Sequence, residues 1–366
     1  MASQIESESA STTVAMDTQP TTSTVAVIKD DANFKLWLKS KSRAALVTFA
    51  QRLNASCVGK RSVDEADASG APRRLMAMLG TIAAGCDAFA PVAGEPRRYG
   101  SPKFREWHAW LRDRAAALVA DAVGGGAPDE LRARLCASFG NETRIDYGTG
   151  HEAAFLAFLY CLWRFGALTD GDVDSGAVAC GVFRAYVAAC RAIQDCFGLE
   201  PAGARGVWAL DPYQMLPFVF GSAQCVAGDA GDAPAGWGDE DTLDVVPGLD
   251  AKRHESMFYE CVLHVRDAIG DARFGEAAPI LFNCSHRPWR VTNRRILRYF
   301  AQEVLGVRVV VQHMLFGDLF PADWLAPATE AATPAADDAA MEAYLRNPYQ
   351  TVFEAQEAQD VRSPPW

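Results

Sequence analysis

The stretch "RIDYGTGHE", residues 144 to 152, is the densest in chemistry-bearing side chains. Arg144, Asp146, Tyr147, Thr149, His151 and Glu152 surround two glycines, and an apolar run follows at once. Gly148 and Gly150 free the backbone to turn N–H groups toward one point. A helix beginning near His151 adds its positive N-terminal end, and the two together favour an anion. Arg144 carries the planar fork that grips a phosphate through paired hydrogen bonds. The same residues also read as plain helix architecture, with Thr149 as N-cap and Glu152 completing a capping box three residues on. Spacing leaves both readings open.

A second cluster is "EPAGARGVWALDPYQMLPFVFGSAQ", residues 200 to 224, where Trp208, Tyr213 and Phe218 lie among Gly203, Gly206 and Gly221. Fixing such a loop costs conformational entropy, so its aromatics must either anchor it or bind something. Asp211 is its main acidic side chain. Other chemistries find no support. The six histidines show no His-x-x-x-His or His-Glu-x-x-His spacing, which argues against a tight zinc site. Gly-x-x-x-x-Gly-Lys-Ser/Thr is absent, excluding a Walker-type phosphate loop. Gly-x-Ser-x-Gly is absent as well, against a serine hydrolase.

The elements that position these residues are mostly helical. Phe34, Trp37 and Leu38 recur at helical spacing, and Ala45, Leu46, Phe49 and Leu53 continue the stripe. "RLMAMLGTIAAGCDAF" (74–89) and "KFREWHAWLRDRAAALVADAV" (103–123) predict two more helices, joined by a Pro/Gly loop. Residues 152 to 168 are apolar nearly all round, the pattern of a buried central helix. Further helices are expected at about 172–197, 254–269 and 290–305. Residues 200–218 are expected as an ordered loop and 227–252 as a Gly/Asp/Pro-rich insertion. "VRVVVQH", residues 307 to 313, is the best strand candidate.

Residues 1–30, rich in Ser, Thr and Gln, are expected to be disordered, and 326–366 to form a mobile tail. A single functional domain, 31–325, lies between them. The 366 residues are 49% hydrophobic, enough for one large core or two smaller ones. The net charge of −11 and pI near 5.1 exclude general nucleic-acid binding by electrostatics. The longest apolar run, Ala153 to Trp163, is too short to span a bilayer. The ten cysteines are scattered and form no Cys-x-x-Cys pair, as expected for reduced thiols inside a cell.

Four blocks in order, "RIDYGTGHE", "AFLAFLYCL", "EPAGARGVWALDPYQMLPFVFGSAQ" and "VVQHMLFGDLFP", resemble the phosphotyrosyl phosphatase activator family. The resemblance runs more loosely back to "FKLWLKSKSRAALVTFAQRLN" and "PRRYGSPKFREWHAWL", covering about Phe34 to Pro321. It implies a mainly α fold with core, linker and lid parts and at most a short β-hairpin. It implies a cytoplasmic and nuclear activator of type 2A protein phosphatase that binds the catalytic subunit, together with the scaffold subunit. It also implies ATP and magnesium at the shared interface, and peptidyl-prolyl cis/trans isomerase activity on proline-containing peptides.

By motif position, Arg144, Thr149, Gly150, Gln312, His313 and Met314 are implied nucleotide contacts, and Val207 and Trp208 partner contacts. Trp208, Asp211 and Tyr213 are implied parts of the isomerase groove, and Gly206 and Asp211 of the magnesium site. One departure stands out. Where the family carries a second aspartate after Asp211, this chain has Pro212, which offers no carboxylate to a cation that wants oxygen. The alternative is a phosphatase-binding regulatory protein without catalysis of its own.

Overall fold

The computed structural model describes residues 24–92, 99–202, 211, 213–226, 249–269, 273–284 and 286–325. Strand β1 (Val25–Ala26) precedes α1 (Asp31–Trp37), α2 (Lys41–Ser56) and α3 (Gly70–Ala84). Then come α4 (Lys103–Val123), α5 (Asp129–Ala137), β2 (Asp146–Tyr147), α6 (Thr149–Phe165) and the short α7 (Asp170–Asp174). A π-helical segment, Ala177–Phe183, leads into α8 (Arg184–Phe197), followed by β3 (Glu200–Pro201) and α9 (Leu216–Gln224). Helices α10 (Met257–Ile269), α11 (Phe274–Ala277), α12 (Pro279–Cys284), α13 (Trp289–Tyr299) and α14 (Arg308–Val311) and strand β4 (Leu315–Phe316) follow among the described residues.

Local chemistry sets many of these ends. Asp30 caps α1 by accepting from Asn33 N, and Ser40 caps α2 by accepting from Arg43 N. Gly124, Gly166 and Gly198 close α4, α6 and α8 in the left-handed conformation. The apolar faces then stack. α3 lies between α4 and α8, α5 packs on α6, and α9 packs on α10 and α13. α6 is buried on nearly all sides, with Phe155, Leu156, Phe158, Leu159 and Leu162 at 0% exposure, as its unbroken apolar sequence predicts. Asn293 ties three helices together: its Nδ2 donates to Asn54 Oδ1 on α2, and to Val219 O and Ser222 Oγ on α9. All ten cysteines are free thiols, and no described helix is long and apolar enough to cross a membrane.

The fold is helical as expected, but several local expectations change. Residues 307–313 are not a strand. Only Val307 is extended, and Arg308–Val311 make a helical turn, because the chain must double back to deliver Leu315–Phe316 to β1. Tertiary demand overrides the β-preference of the valines here. The two strand pairs among the described residues are short and neither is a hairpin: β1 pairs antiparallel with β4, and β2 parallel with β3. Residues 24–30 are ordered rather than part of a disordered tail, with Val25 opposite Phe316, Ala26 opposite Leu315, and Ile28 fully buried. The helix expected at 172–197 is broken by Gly176 at φ 84°, and the loop expected to run through Phe218 becomes helical at Leu216.

Candidate functional site

The N-terminus of α6 is where sequence-distant segments meet. Asp146 and Tyr147 pair with Glu200 and Pro201, so β2 and β3 enter side by side. The residue that caps α6 is Gly148, not Thr149, and no side chain caps the end, so the Thr149–Glu152 capping box does not form. Neither Gly148 nor Gly150 is in the left-handed region; each is required by close approach instead. A Cβ on Gly148 would meet Ala202 O at 2.9 Å, and one on Gly150 would meet Val310 O at 2.8 Å. The two glycines therefore let β3 and α14 seat against the start of α6. The strained residue of the loop is Ile145, at φ 57°, a conformation costly for a β-branched side chain.

Charged groups gather on the outer side. Arg144, with a side chain 42% exposed, donates from Nε to Asp146 Oδ2 at 2.6 Å. His151 is held through Nδ1 on Ala137 O at 2.9 Å, and its Nε2 lies 3.9 Å from Asp146 Oδ1, too far for a hydrogen bond. Burial works to raise the Asp146 carboxyl, but His151 and Arg144 outweigh it and hold it below its ordinary value. Asp146 Oδ1 itself is buried without a hydrogen-bond partner. Exposed His313 shares this surface. Its imidazole is held below its ordinary value first by burial and then by the nearness of Arg144 and His151.

Beneath lies a buried polar layer. Glu152, at 0% exposure, accepts from Met215 N at 2.9 Å and Leu216 N at 3.0 Å, and so caps the start of α9 from across the fold. Asp211 Oδ1 accepts from Tyr213 N at 2.6 Å and Gln214 N at 3.0 Å. Tyr213 donates its hydroxyl to Leu199 O at 2.7 Å. Tyr186 O–H reaches Ser138 O at 2.6 Å, and the Tyr147 and Tyr186 oxygens lie 2.7 Å apart. Burial pushes the Glu152 carboxyl up to about 8 against the pull of its two N–H donors. Asp211 is raised for the same first reason.

Of the residues predicted from sequence, Arg144, Thr149, Gly150 and His313 are drawn together by the Gly150–Val310 approach and by the charges just described. Gln312 Nε2 turns back to Val309 O at 3.2 Å, and Met314 is buried. Asp211 and Tyr213 lie beneath, with Asp211 Oδ1 and the Tyr213 hydroxyl engaged internally. Gly206, Val207, Trp208 and Pro212 lie outside the described residues. Sequence reasoning missed Glu130 and Arg134, which form a buried ion pair at 2.5 Å. Glu130 also accepts from Leu319 N at 2.8 Å and Phe320 N at 3.2 Å, while Arg134 donates to Leu315 O at 2.9 Å. The only signal was their spacing of four on α5.

The residues suit a phosphate-bearing ligand in part. The first N–H groups of a helix have no intrahelical acceptor, and Arg144 and His313 stand beside that end of α6. A phosphate there would compete with Asp146 for Arg144. A magnesium site is not formed by the described residues: no cluster of three His, Cys, Asp or Glu side chains can hold a metal, and Asp211 Oδ1 is occupied by two N–H groups.

These features define a mainly helical protein with a composite surface built where remote loops are clamped around one helix N-terminus. The family model described as "Phosphotyrosyl phosphate activator (PTPA) protein" matches residues 24–322, and the chain belongs to that family. It is 31% identical over 370 residues to serine/threonine-protein phosphatase 2A activator 1 of Emericella nidulans, covering 88% of this chain and 84% of the relative. It is 30% identical to the probable activator 1 of Dictyostelium discoideum, covering 81% of this chain and 89% of that one. The crystal structure of the PP2A phosphatase activator Ypa1 superposes with a TM-score of 0.67 at 25% identity, covering 82% of this chain and 95% of its own.

Proposed function

We propose that this protein activates a type 2A serine/threonine phosphatase by binding its catalytic subunit, with ATP held at the surface around the α6 N-terminus. The observation that carries the reading is the meeting of Arg144 and the start of α6 with the Gln312–Met314 segment, in a chain whose relatives bear the name of phosphatase 2A activators. In this reading Arg144, Thr149, Gly150 and His313 hold phosphate, Gln312 and Met314 flank the nucleotide, and Val207 and Trp208 meet the phosphatase. ATP supplies negative charge that Arg144 offsets. Binding energy then favours one phosphatase conformation only so far as that state is bound more tightly. The scaffold subunit is a further proposed partner. The cytoplasm and nucleus are the proposed compartments, supported by ten free thiols.

Peptidyl-prolyl isomerisation is the finer part of this proposal, with Trp208, Asp211 and Tyr213 lining the groove for a proline peptide. The second reading, a regulatory protein without catalysis of its own, is favoured by one observation: Asp211 Oδ1 and the Tyr213 hydroxyl are spent on internal hydrogen bonds. A pull-down with the catalytic subunit, with and without ATP, tests the first reading; no binding in either condition overturns it. Turnover of a proline tetrapeptide, lost in Asp211→Asn, would favour isomerase over regulator.

A further inference from the structure

On another face, between α3, the π-helical segment, α8 and α10, lies a cavity of about 210 Å³. Val63, Met76, Ala185 and Val187 give it apolar walls, and Arg184, Arg191, Asp64 and Glu260 give it charge. Arg184 is fully engaged: Nε donates to Glu260 Oε1 at 2.9 Å and Nη1 to Asp64 Oδ1 at 2.7 Å. Arg191 is not. Its Nε is buried with no hydrogen-bond partner, and its Nη2 meets only the thiol of Cys261 at 2.9 Å. Burial pushes that thiol up to about 12, so it carries no charge to offset the guanidinium.

The charge balance fixes the kind of ligand. The Asp64 side chain is 74% exposed, so its charge is screened by water at the mouth, whereas Glu260 is 15% exposed and is matched by Arg184. Arg191 is the lining cation without an ion pair: Glu260 and the buried carboxyl of Asp211 act on it through their fields, and neither accepts from its Nε. A buried donor without an acceptor is costly, and a buried guanidinium more so. One anionic oxygen group would satisfy Nε; a polyphosphate would bring too much charge beside Glu260. We propose that this cavity is a binding site for a small organic monoanion, a carboxylate on a short aliphatic body, gripped by Arg191. The body lies against Met76 and the valines. The carboxylate comes either from a free small acid or from the C-terminus of a peptide chain.

Met76 reports on the site. In the full chain with ¹³C-methyl methionine, its resonance is identified by Met76→Leu and followed while sodium isovalerate replaces sodium chloride at constant ionic strength. A saturable shift is expected. Isovaleramide, the uncharged isostere, should bind about tenfold or more weakly, as expected for loss of a charge-assisted hydrogen bond. Arg191→Met, which keeps the stem, and Ala185→Leu, which fills the cavity, should both abolish the shift. If Arg191→Met does not fold, Ala185→Leu and the amide decide. Stronger binding of acetyl-Ala-Leu than of isovalerate, lost in its C-terminal amide, identifies a peptide C-terminus; the reverse order identifies a free acid. No saturable shift with either acid, an unaltered shift in a folded Arg191→Met, or equal binding of amide and acid overturns the proposal.

Discussion

Glu152 and Asp211 divide four consecutive backbone N–H groups between them: Asp211 takes those of Tyr213 and Gln214, Glu152 those of Met215 and Leu216. Burial raises both carboxyls, and the charge of Asp211 raises Glu152 further. The entrance to α9 is thus fixed by one residue of its own loop and one from the first turn of α6. Asp211 and the start of α9 are thereby tied to the first turn of α6.

That arrangement predicts a pH signature. Glu152 has its folded value raised to about 8 from an ordinary 4.5. The folded state therefore holds the proton more tightly, and stability is greatest below the ordinary value and falls as pH rises toward 8. Glu152→Gln resembles the protonated form and lacks this loss. Its melting temperature should match wild type near pH 5 and rise relative to wild type by pH 9. At about 1.4 kcal/mol for each tenfold change in proton affinity, the difference should reach a few kcal/mol. Asp211 keeps some pH dependence in both proteins. A gap that is constant from pH 5 to 9 would show that Glu152 is ionised throughout.

The glycines of the α6 entry give a second test. Gly150→Ala drives a Cβ into Val310 O and should cost about 1–3 kcal/mol, the range for overpacking. ATP affinity, if α14 helps form that surface, should fall with it. Thr149→Ala should change stability by less than about 0.5 kcal/mol, since Gly148 holds the cap position. A loss near 1 kcal/mol, typical of a removed N-cap, would restore Thr149 to that role. Thermal melts of both variants decide the matter.

The buried Glu130–Arg134 pair anchors the Leu315–Phe320 segment, and Gly317 lies so close that a Cβ there would meet Glu130 Oε2 at 2.5 Å. Arg134→Ala leaves Glu130 buried and uncompensated. It should destabilise the chain by about 3–5 kcal/mol, measured by denaturant unfolding. Arg134→Met together with Glu130→Met should recover part of that loss, because two apolar side chains leave no unpaired charge. A double variant less stable than Arg134→Ala would show that the backbone N–H groups of Leu319 and Phe320 dominate instead.

What the sequence could reveal here follows from the range of each interaction. Helix α4 was legible from Lys103 to Val123 because its period and its stops at Pro102 and Gly124 are local. The start of α9 was not, because the carboxylate that caps it belongs to Glu152, and its loop reads as Gly/Pro-rich. The valines of α14 favour a strand in isolation and were bent into a turn by a partner strand at Val25–Ala26, near the other end of the chain. The gathering of charged and polar side chains at the start of α6 was visible in the residue types of "RIDYGTGHE". The glycines' part in admitting Ala202 and Val310 was not, since spacing alone does not distinguish a cradle for phosphate from a seat for backbone.

The pairing of Arg144 with Asp146 separates the phosphate reading from a structural one through opposite signs. Arg144 is partly exposed, so removing it should cost little stability, within about 1 kcal/mol for such a pair. If Arg144 holds phosphate, Arg144→Ala should weaken ATP binding about tenfold or more, the worth of a charge-assisted contact. Asp146→Asn should do the reverse. It frees the guanidinium and removes a negative charge beside the ligand, so ATP binds more tightly and depends more steeply on salt. Calorimetric titration at two salt concentrations measures both. If both variants weaken ATP alike, the pair acts as a unit that shapes the loop and Arg144 is no phosphate ligand. If neither changes the affinity, the nucleotide does not bind at this end of α6.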